Sequence, residues 1–403
     1  MIRYRARWVL PIAGPPLADG WVLVDAGRVV AVGYGRRADA TPEHDLGEAV
    51  LMPGLVNAHT HLELSYLRGA VARTTVFVSW IRELMDARRR SLDPKSPEIL
   101  AAVEDAIAGA VASGTALVGD ISNTVVTVDA LLASPLAAAV FCELIGFNPA
   151  DPVGLVGRMC AQWSGLPTTD RVRVSLAAHA PYSVAPSLFA AIRHAVDGRE
   201  PPLSYSVHLA ESTAEVEFLQ TGTGAWRALL DDLGVWNPQW TPPGVTPVQY
   251  VDSLGFLSAR TLVVHGVQMQ DADLSRLAAI GATLVTCPRS NQYTGAGRPP
   301  IEAFYRSGVR VAVGTDSLAG VDDLNVFSEL AEIRTLAPGI PARDILDSAT
   351  RAGAAALGFG RDFGTIEPGK RSRLLAVAVP RPVGDVEEYL LSGIQPEQIR
   401  WIE

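Results

Sequence analysis

Short apolar runs that end in polar residues recur through the middle of this chain. They are rich in Val, Ala and Leu, and most are followed by a stretch with the apolar spacing of a helix. The runs read LVNAHTH, TALVGD, AAVFCEL, RVRVSLAAHA, LSYSVHLAES, TLVVHG, ATLVTCP and VRVAVGTDS. In the helical stretch DADLSRLAAI, we expect Asp271 or Asp273 to cap the helix. Eight strands that alternate with helices predict an α/β fold, a (β/α)8 TIM barrel.

The two ends of the chain have a different pattern. WVLVDAGRVVAVGYG near the start and FGTIEPGKRSRLLAVAVP near the end are short apolar runs punctuated by Gly, Asp and Pro, as in small sheets. We therefore predict that the ends pair into one small β-sandwich domain beside the barrel. The predicted boundaries are 1–54 and 358–403 for the two halves of the β domain, and 55–357 for the barrel.

Residues 221–255, between the fifth and sixth strands, depart from the alternation of strands and helices because they are rich in Trp, Gly and Pro. This segment lies on the side of the barrel where loops shape access to an active site. Two interpretations stay open at this point. Its aromatic residues cover a pocket, or the segment is a surface excursion with a small core of its own.

Composition narrows the class of protein. The chain has 403 residues, 48% of them hydrophobic and 19% charged, with a formal net charge of −9. This balance fits a compact globule and gives no electrostatic footprint for nucleic acid or acidic membranes. We expect a small-molecule substrate, no nucleic-acid or membrane partner, and allow for a homodimer. The basic start MIRYRARWVLPIAG lacks a long apolar region, so we interpret it as mature, cytoplasmic protein.

The cysteines support the same interpretation. The chain has 3 cysteines, an odd number, at the widely spaced positions Cys142, Cys160 and Cys287. A disulfide framework normally needs an even number at close spacing. We therefore expect reduced thiols.

Candidate chemistry begins with two histidines at the end of the first barrel run, His59 and His61. Side chains alternate along a strand, so these two point the same way. Taken alone, the pair is as consistent with a buried core network as with a metal site. Three further polar residues end other strands, namely His208, His265 and Asp316. Because barrel active sites form at this end of the strands, imidazoles with one carboxylate predict a Zn²⁺ or Fe²⁺ site with a position left for water.

Five segments, in the order PGLVNAHTHLE, HAPYSV, HLAES, CPRSN and GTDS, together resemble the amidohydrolase superfamily. The resemblance is to its cytosine deaminase-like branch, which includes chlorohydrolases and nucleoside deaminases, and it covers nearly the whole chain. It implies that one divalent metal, zinc or iron, is bound by four residues: His59, His61, His208 and Asp316. It also implies that His265 contacts the attacking water or the developing alkoxide.

The number and positions of the lysines indicate how many metal ions the site can hold. Many members of that superfamily hold two metals bridged by a carboxylated lysine after the fourth strand. The only lysines here are Lys95 and Lys370, and neither lies at a strand end. A lysine-bridged pair is thereby excluded, and a mononuclear site is predicted.

Acid–base chemistry is assigned to a glutamate just beyond the fifth strand. Taken by itself, Glu211 in HLAES is explained by the favourable interaction of a negative charge with the N-terminus of a helix. Beside an activated water, a carboxyl group of raised pKa can move protons to a leaving amine, which is the role that the resemblance implies. Asp316 is also expected to accept a proton, with Ser317 either hydrogen-bonded to it or closing a turn. His179, at the end of the fourth strand, is expected to bind the substrate or to be structural.

Other residues are weaker candidates. Glu63 and Glu83 lie near the first barrel loop, where either is placed to bind substrate hydroxyls, although charged groups there are more often solvated or ion-paired. Cys287 and Asn291 are expected to shape the pocket floor. His44 and His194 are interpreted as bystanders. The sequence has no phosphate-binding loop, no dinucleotide fingerprint and no GxSxG elbow, which argues against ATP, NAD and serine-hydrolase chemistry.

The resemblance is strongest to deaminases of 6-aminopurine nucleosides of the aminodeoxyfutalosine deaminase type, which act in menaquinone biosynthesis. It implies a mononuclear, metal-dependent hydrolytic deaminase of aminodeoxyfutalosine or another 5′-substituted adenosine. Alternatives are a cytosine or guanine deaminase, a chlorohydrolase and an imidazolonepropionase-like hydrolase of cyclic amides. The non-enzymatic alternative is a barrel with a structural metal.

Overall fold

Two separate β-sheets organise the chain in the computed structural model, which describes residues 1–36, 40–90, 93–166 and 169–402. An 8-stranded sheet forms the middle of the chain, and a 7-stranded sheet is built from both ends. The strands of the terminal sheet are β1 (Ile2–Val9), β2 (Leu17–Asp25), β3 (Arg28–Tyr34), β4 (Glu43–Asp45), β5 (Ala49–Pro53), β14 (Leu374–Ala378) and β15 (Ile399–Ile402). Those of the central sheet are β6 (Leu55–Thr60), β7 (Thr115–Ser122), β8 (Ala137–Leu144), β9 (Val172–Ala178), β10 (Tyr205–Leu209), β11 (Thr261–His265), β12 (Thr283–Thr286) and β13 (Arg310–Val313).

The central sheet is a parallel barrel. Its strands pair in chain order from β6 to β13, and a parallel bridge between Thr60 and Asp316 brings the first strand against the last. The N–H groups of Thr315 and Asp316 both donate to the carbonyl of His59, at 3.0 Å each. The predicted TIM barrel is therefore confirmed, and the backbone bonds that close it lie beside the candidate site.

Helices separate the barrel strands and cover the outside of the barrel. They are α1 (Phe77–Arg88), α2 (Pro97–Ala112), α3 (Thr127–Ala133), α4 (Pro152–Ser164), α5 (Pro186–Asp197), α6 (Thr213–Thr221), α7 (Ala225–Asp232), α8 (Pro247–Ser253), α9 (Asp271–Ile280), α10 (Pro288–Thr294), α11 (Ile301–Arg306), α12 (Val326–Leu336), α13 (Ala342–Asp347), α14 (Gly353–Ala356) and α15 (Val386–Leu390). The predicted capping of α9 is confirmed for Asp273 but not for the N-cap position. The N-cap is Gln270, whose extended backbone begins the helix one residue earlier than expected. The Asp273 carboxylate accepts the N–H of Gln270 at 3.2 Å in a capping box.

The terminal sheet joins the two ends of the chain, as predicted. Strand β14 pairs antiparallel with β5, with Ala376 opposite Leu51, and with β15 on its other side. The mixed order is β15-β14-β5-β1-β2-β3, with β4 added beside β1. The sheet is tied to the barrel by Trp401, whose indole N–H donates to the carbonyl of Val111 on α2 at 2.9 Å. This small β domain therefore depends on both ends of the chain at once.

The segment 221–255 contains helices α7 and α8 and packs against the barrel. Its Trp236 and Trp240 pack with two rings from outside the segment, with centroids 5.6 Å apart for Phe147 and Trp236 and 4.7 Å apart for Phe218 and Trp240. Aromatic rings bury large apolar areas, so this cluster stabilises the segment against the barrel. The expected core of its own is therefore shared with the barrel, and a contact with the cavity wall is described below.

The cysteines are free thiols, as predicted. Cys142 and Cys287 are buried, whereas Cys160 on α4 is partly exposed. Across the ranges that the structure describes, no helix has the length and apolar character needed to cross a membrane.

Substitution of two glycines, one between the first two barrel strands and one on a helix, tests how closely those strands must approach. A Cβ added at Gly119 on β7 would lie 2.4 Å from the carbonyl oxygen of Ala58 on β6, whereas one added at Gly109 on α2 meets nothing within 4 Å. Gly119→Ala is therefore expected to lower the free energy of unfolding by about 1–3 kcal/mol, the usual cost of overpacking. Gly109→Ala is expected to raise it by about 0.5–1 kcal/mol. Thermal or urea unfolding of both variants measures this, and equal stability of the two would contradict the close approach.

Candidate active site

The structure brings five predicted residues together at the carboxyl end of the barrel. His59 and His61 lie at the end of β6, His208 on β10 and His265 at the end of β11, with Asp316 just after β13. One ring nitrogen from each of His59, His61 and His208 lies within 4.8 Å of the others. The ring centroid of His265 is 5.3 Å from that of His208. Four of these residues line one cavity, and the ring of His59 is buried against the rings of His61 and His208.

Asp316 is the carboxylate at the centre of this cluster. Its Oδ1 lies 3.6 Å from Nε2 of His59 and 3.4 Å from Nε2 of His61. Its Oδ2 accepts a hydrogen bond of 2.6 Å from the hydroxyl of Ser290. Of the two roles left open for Ser317, the structure shows the turn, because its hydroxyl accepts the N–H of Ala319 at 3.0 Å. A residue from α10, not the neighbour in sequence, therefore orients Asp316.

The backbone is strained where two of these side chains leave their strands. His265 has φ 77° and Asp316 has φ 63°, both in the left-handed region that residues other than glycine rarely adopt. Such a conformation costs on the order of 1–3 kcal/mol, and it persists where the surrounding structure enforces it. Here the hydrogen bond from the N–H of Asp316 to the carbonyl of His59 holds it, at 3.0 Å. The strain turns both side chains into the cavity.

Burial makes the imidazoles neutral. Desolvation, with His59 as the next cause, lowers the pKa of His208 to about 4. Desolvation also holds the pKa values of His61 and His265 well below the usual value for histidine. A neutral imidazole has a lone pair and is the form that binds a metal. Near neutral pH, these three side chains are therefore available as ligands or hydrogen-bonding groups.

The pKa of Asp316 is lowered, although burial alone would raise it. Burial raises its pKa, but the facing imidazoles of His59, His61 and His265 outweigh this and hold the pKa well below its usual value. An anionic carboxylate among neutral imidazoles is a donor set that divalent metals accept.

Two details of the imidazoles fit a metal ion. Nδ1 of His208 lies 2.8 Å from the carbonyl oxygen of His179, so this nitrogen donates and leaves Nε2 free. Both ring nitrogens of His59 are buried, and neither has a hydrogen-bond partner in the described part of the chain. A buried polar atom without a partner costs about 1–3 kcal/mol, and a metal ion removes that cost. The residues present therefore fit a divalent metal. Neither Lys95 nor Lys370 lines this cavity.

Glu211 faces the cluster from the loop after β10. It is buried, and its Oε1 lies 3.5 Å from Nε2 of His265. Burial, followed by the charges of Asp316 and Glu215, raises the pKa of Glu211 well above its usual value. The shift favours the protonated carboxyl group, the form that can donate a proton beside the imidazoles.

Two residues that hold this geometry were not identified from the sequence. Both oxygens of Glu215 accept backbone N–H groups, from Ala210 and from Glu211, at 2.9 Å each. These bonds fix the loop that carries Glu211. The sequence ESTAE contains the signal for Glu215, because this second glutamate lies four residues after Glu211, in the first turn of α6. Glu143, the second residue, ends β8 in AAVFCEL and lies with its Oε1 3.5 Å from Nδ1 of His208. The strand-end rule that found the histidines would have found it.

The segment CPRSN orients two side chains of the site, Asp316 and His265. The side chain of Asn291 lies 3.0 Å from Nδ1 of His265, and its amide is assigned as the donor, which directs Nε2 of His265 toward Glu211. Cys287 is buried outside the ligand cluster, and burial raises the pKa of its thiol well above the usual value. This segment therefore does more than shape the pocket floor, since it holds both Asp316 and His265.

The wall of the cavity at the fourth strand carries His179 and Tyr182. Nδ1 of His179 lies 2.6 Å from the hydroxyl of Ser183, and burial lowers the pKa of this histidine to about 4. The Tyr182 ring stacks on Trp226 from α7, with centroids 3.6 Å apart. The Trp-rich segment thus supports the cavity wall as well as packing against the barrel.

The structure does not bring Glu83 into the cavity. On α1, the side chains of Trp80, Ile81, Leu84 and Arg88 line the cavity, whereas Glu83 is exposed on another face of the helix. The spacing i, i+1, i+4 and i+8 defines that inner face and leaves position 83 outside it. A substrate-binding role for Glu83 therefore has no support from its position.

Glu63 is buried and fully engaged. Its oxygens accept hydrogen bonds from the Ser122 hydroxyl at 2.6 Å, the Asn123 N–H at 3.0 Å and both the N–H and hydroxyl of Thr124, at 3.1 and 2.8 Å. Asn123 is held in turn, since its side-chain amide donates to Glu143 at 2.8 Å. Glu63 is thus a support of the loop after β7. His44 on β4 and His194 on α5 are exposed and distant from this cluster, as predicted.

Comparison with known proteins agrees with this site. The chain matches the Amidohydrolase family over residues 50–394. It is 32% identical over 370 residues to the aminodeoxyfutalosine deaminase of Deinococcus radiodurans, covering 87% of this chain and 84% of that protein. It is 29% identical over 403 residues to the 5-methylthioadenosine/S-adenosylhomocysteine deaminase of Moorella thermoacetica, covering 95% and 88%.

A solved structure gives the same result for the fold. An adenosine deaminase from Xanthomonas campestris with bound zinc superimposes with a TM-score of 0.81 at 28% identity, over 99% of this chain and 90% of the other. The resemblance expected from the five sequence segments is thereby confirmed. The chain belongs to the amidohydrolase family and is a hydrolytic deaminase that acts on C–N bonds.

Proposed function

We propose that this protein deaminates an adenosine with a 5′ substituent, with aminodeoxyfutalosine as the first candidate. The observation that carries the proposal is the buried carboxyl group of Glu211, whose pKa is raised, 3.5 Å from His265 and facing a cluster of neutral imidazoles and one carboxylate. Removing an amine from an aromatic ring requires proton delivery to the ring and to the leaving group. The names of the relatives from Deinococcus radiodurans and Moorella thermoacetica support an adenosine-type substrate.

We further propose that one zinc ion is bound by His59, His61, His208 and Asp316. Three imidazoles and one carboxylate form a set suited to zinc, with Fe²⁺ as the alternative. When bound, the ion would act as a Lewis acid and lower the pKa of a water molecule. The zinc-containing neighbour from Xanthomonas campestris supports this choice of metal.

The side chains divide the proton transfers between them. Asp316, kept anionic by the imidazoles around it, accepts a proton from the attacking water. Glu211, whose pKa is raised by burial, donates its proton to the ring nitrogen beside the carbon that bears the amine. The proton taken from water then leaves with the amine as ammonia, and the remaining hydroxyl proton passes to Glu211 as the ring carbonyl forms, which restores its carboxyl group. His265, aimed by Asn291, donates a hydrogen bond to the oxygen that replaces the amine. His179 is proposed to contact the substrate from the cavity wall.

The alternatives differ in what leaves the ring. A chloride ion would depart without a proton, so a chlorohydrolase would have no use for the protonated Glu211. A cyclic-amide hydrolase would open the ring and produce a new carboxylate. Cytosine and guanine deaminases would use the same proton transfers on a base without a 5′ substituent. Product and substrate identity therefore separate these reactions.

Ammonia release across a panel tests the proposed substrate. The zinc-loaded protein is incubated with adenosine, 5′-methylthioadenosine, aminodeoxyfutalosine, cytosine, guanine, a chloro-triazine and imidazolonepropionate. We expect the largest kcat/KM for a 5′-substituted adenosine, because the cavity is also lined by apolar side chains of α1 that the proton transfers do not use, namely Phe77, Trp80 and Ile81. Preferred turnover of a free base, chloride release or ring opening would each overturn the proposal.

Glu211→Gln tests the proton donor. This variant keeps the size of the side chain and loses the transferable proton, so kcat is expected to fall by about 10²–10⁴-fold, the range of general acid–base catalysis. Glu217→Gln, the same change on the exposed face of α6, is the control and should leave kcat unchanged. Metal content should be the same in both variants. A loss of only a few-fold in Glu211→Gln would remove the role assigned to it.

His208→Asn tests the proposed ligand set. Loss of one imidazole is expected to weaken zinc binding at least ~100-fold, because even changes to groups that merely support ligands cost up to that much. Metal content after dialysis and competition with a chelator measure the affinity directly, without an activity assay. His194→Asn on the exposed face of α5 is the matched control. Equal zinc content in the two variants would place the metal elsewhere.

A further inference from the structure

Helix α10 carries the two side chains that orient reacting groups of the site, Ser290 and Asn291. It has only 7 residues, and its N-cap residue, Cys287, makes no side-chain hydrogen bond to it. A helix this short is marginal by itself, because the N–H groups of its first turn have no partner within the helix. The position of α10 therefore depends on contacts with other parts of the chain.

Helix α12 makes such contacts through two glutamates one turn apart, Glu329 and Glu332. A carboxyl oxygen of Glu329 accepts the backbone N–H of Arg289, in the first turn of α10, at 3.2 Å. A carboxyl oxygen of Glu332 accepts the side-chain amide of Gln292 at 2.8 Å. Positions 289 and 292 thus face α12, whereas the two residues between them face the site.

The carboxyl group of Glu329 is fully buried, and neither the proton transfers nor the proposed metal site makes use of it. Its other oxygen lies 3.7 Å from Nη1 of Arg289 and has no hydrogen-bond partner in the described ranges. The guanidinium donates instead to Asp323, at 2.8 Å. Because a buried polar group is costly unless it is bonded, the hydrogen bond to the start of α10 is the interaction that gives Glu329 a role.

We propose that Glu329 is a positioning residue that caps α10 from α12. It acts on His265 through Asn291, and it acts on Asp316 through the neighbouring serine of α10. An acceptor oxygen on a first-turn N–H does what an N-cap side chain does, and here it comes from a residue far along the chain. The inference rests on the proposed function, because the roles of the two reacting groups belong to that function.

The alternative is that Glu329 only stabilises the packing of α12. That role would lower the stability of the whole fold and would not depend on what α10 carries. A positioning role would lower kcat and leave KM nearly unchanged, because the groups held by α10 act on the reacting atoms. It would also weaken once a group through which Glu329 acts is removed.

The kinetic test uses the substrate of the adenosine panel with the largest kcat/KM. Glu329→Met keeps a long buried side chain but removes the acceptor, so kcat is expected to fall by about 10–100-fold, the usual cost of losing a group that supports an active-site residue. Burial raises the pKa of Glu329 to about 8, which favours the neutral carboxyl group. Glu329→Gln has the shape of that form and keeps an acceptor oxygen, so it should retain most of the activity.

The matched structural control is Ile333→Ala, which removes a buried side chain one turn further along α12. It should lower the melting temperature and leave kcat nearly unchanged. Glu329→Met is also combined with Asn291→Ala. We expect the double variant to lose less activity than the product of the two single losses, because both changes act on His265. A loss equal to that product would assign Glu329 a structural role.

A second readout needs no substrate. The amide of Asn291 is bonded to Nδ1 of His265, which leaves the ring proton on Nε2. Nitrogen NMR shifts of the histidine rings report which nitrogen carries the proton, and His265→Asn identifies the signal. Glu329→Met is expected to give a mixture of the two tautomers, whereas the wild type and Ile333→Ala keep the proton on Nε2.

The two readouts separate failure of the inference from failure of the proposed function. An unchanged tautomer of His265 with an unchanged kcat in Glu329→Met would overturn the positioning role and leave the deaminase function intact. An equal loss of kcat in Glu329→Gln and Glu329→Met would overturn the capping role, because glutamine keeps the acceptor. No ammonia from any adenosine, with the tautomer shifted in Glu329→Met, would remove the proposed function and support the positioning role.

Discussion

Burial of ionisable side chains against one another at the mouth of the barrel is the constraint on which the site depends. A charge taken out of water costs several kcal/mol unless neighbours compensate it. Asp316 has that compensation, because imidazoles surround it, and it stays anionic. Glu211 has the opposite surroundings, since burial and two carboxylates oppose its ionisation. The pKa values of two carboxyl groups in one cavity are thus shifted in opposite directions, which is the arrangement that acid–base chemistry at neutral pH requires.

The geometry of this cluster depends on a surrounding layer of polar residues. Ser290 and Asn291, adjacent on α10, hold Asp316 and His265 respectively. Glu215 on α6 fixes the loop of Glu211 through two backbone N–H groups. These supports lie on helices, which are more rigid than loops. They also explain how left-handed backbone at two strand ends is maintained, since each strained residue is bonded from more than one side.

The barrel backbone imposes its own spacing. Gly314 precedes the Asp316 loop, and a Cβ there would lie 2.7 Å from the Cβ of His59. The first and last strands therefore approach closely only because this position has no side chain. The wall opposite the reacting groups is built differently, from the inner face of α1 and from Tyr182 backed by Trp226. The cavity therefore combines polar residues at the strand ends with apolar residues on the wall formed by α1.

The sequence by itself determined the barrel, the pairing of the two ends, and the strand-end residues that cluster. Strand periodicity and the parallel arrangement suffice for these, because the carboxyl ends of parallel barrel strands always meet on one side. Only the tertiary structure decided that Ser290 and not Ser317 supports Asp316, that Glu83 faces solvent, and that Glu143 and Arg88 face the cavity. These outcomes depend on which face of a helix or loop turns inward. That orientation is set by packing between segments far apart in the chain, and local sequence patterns do not encode it.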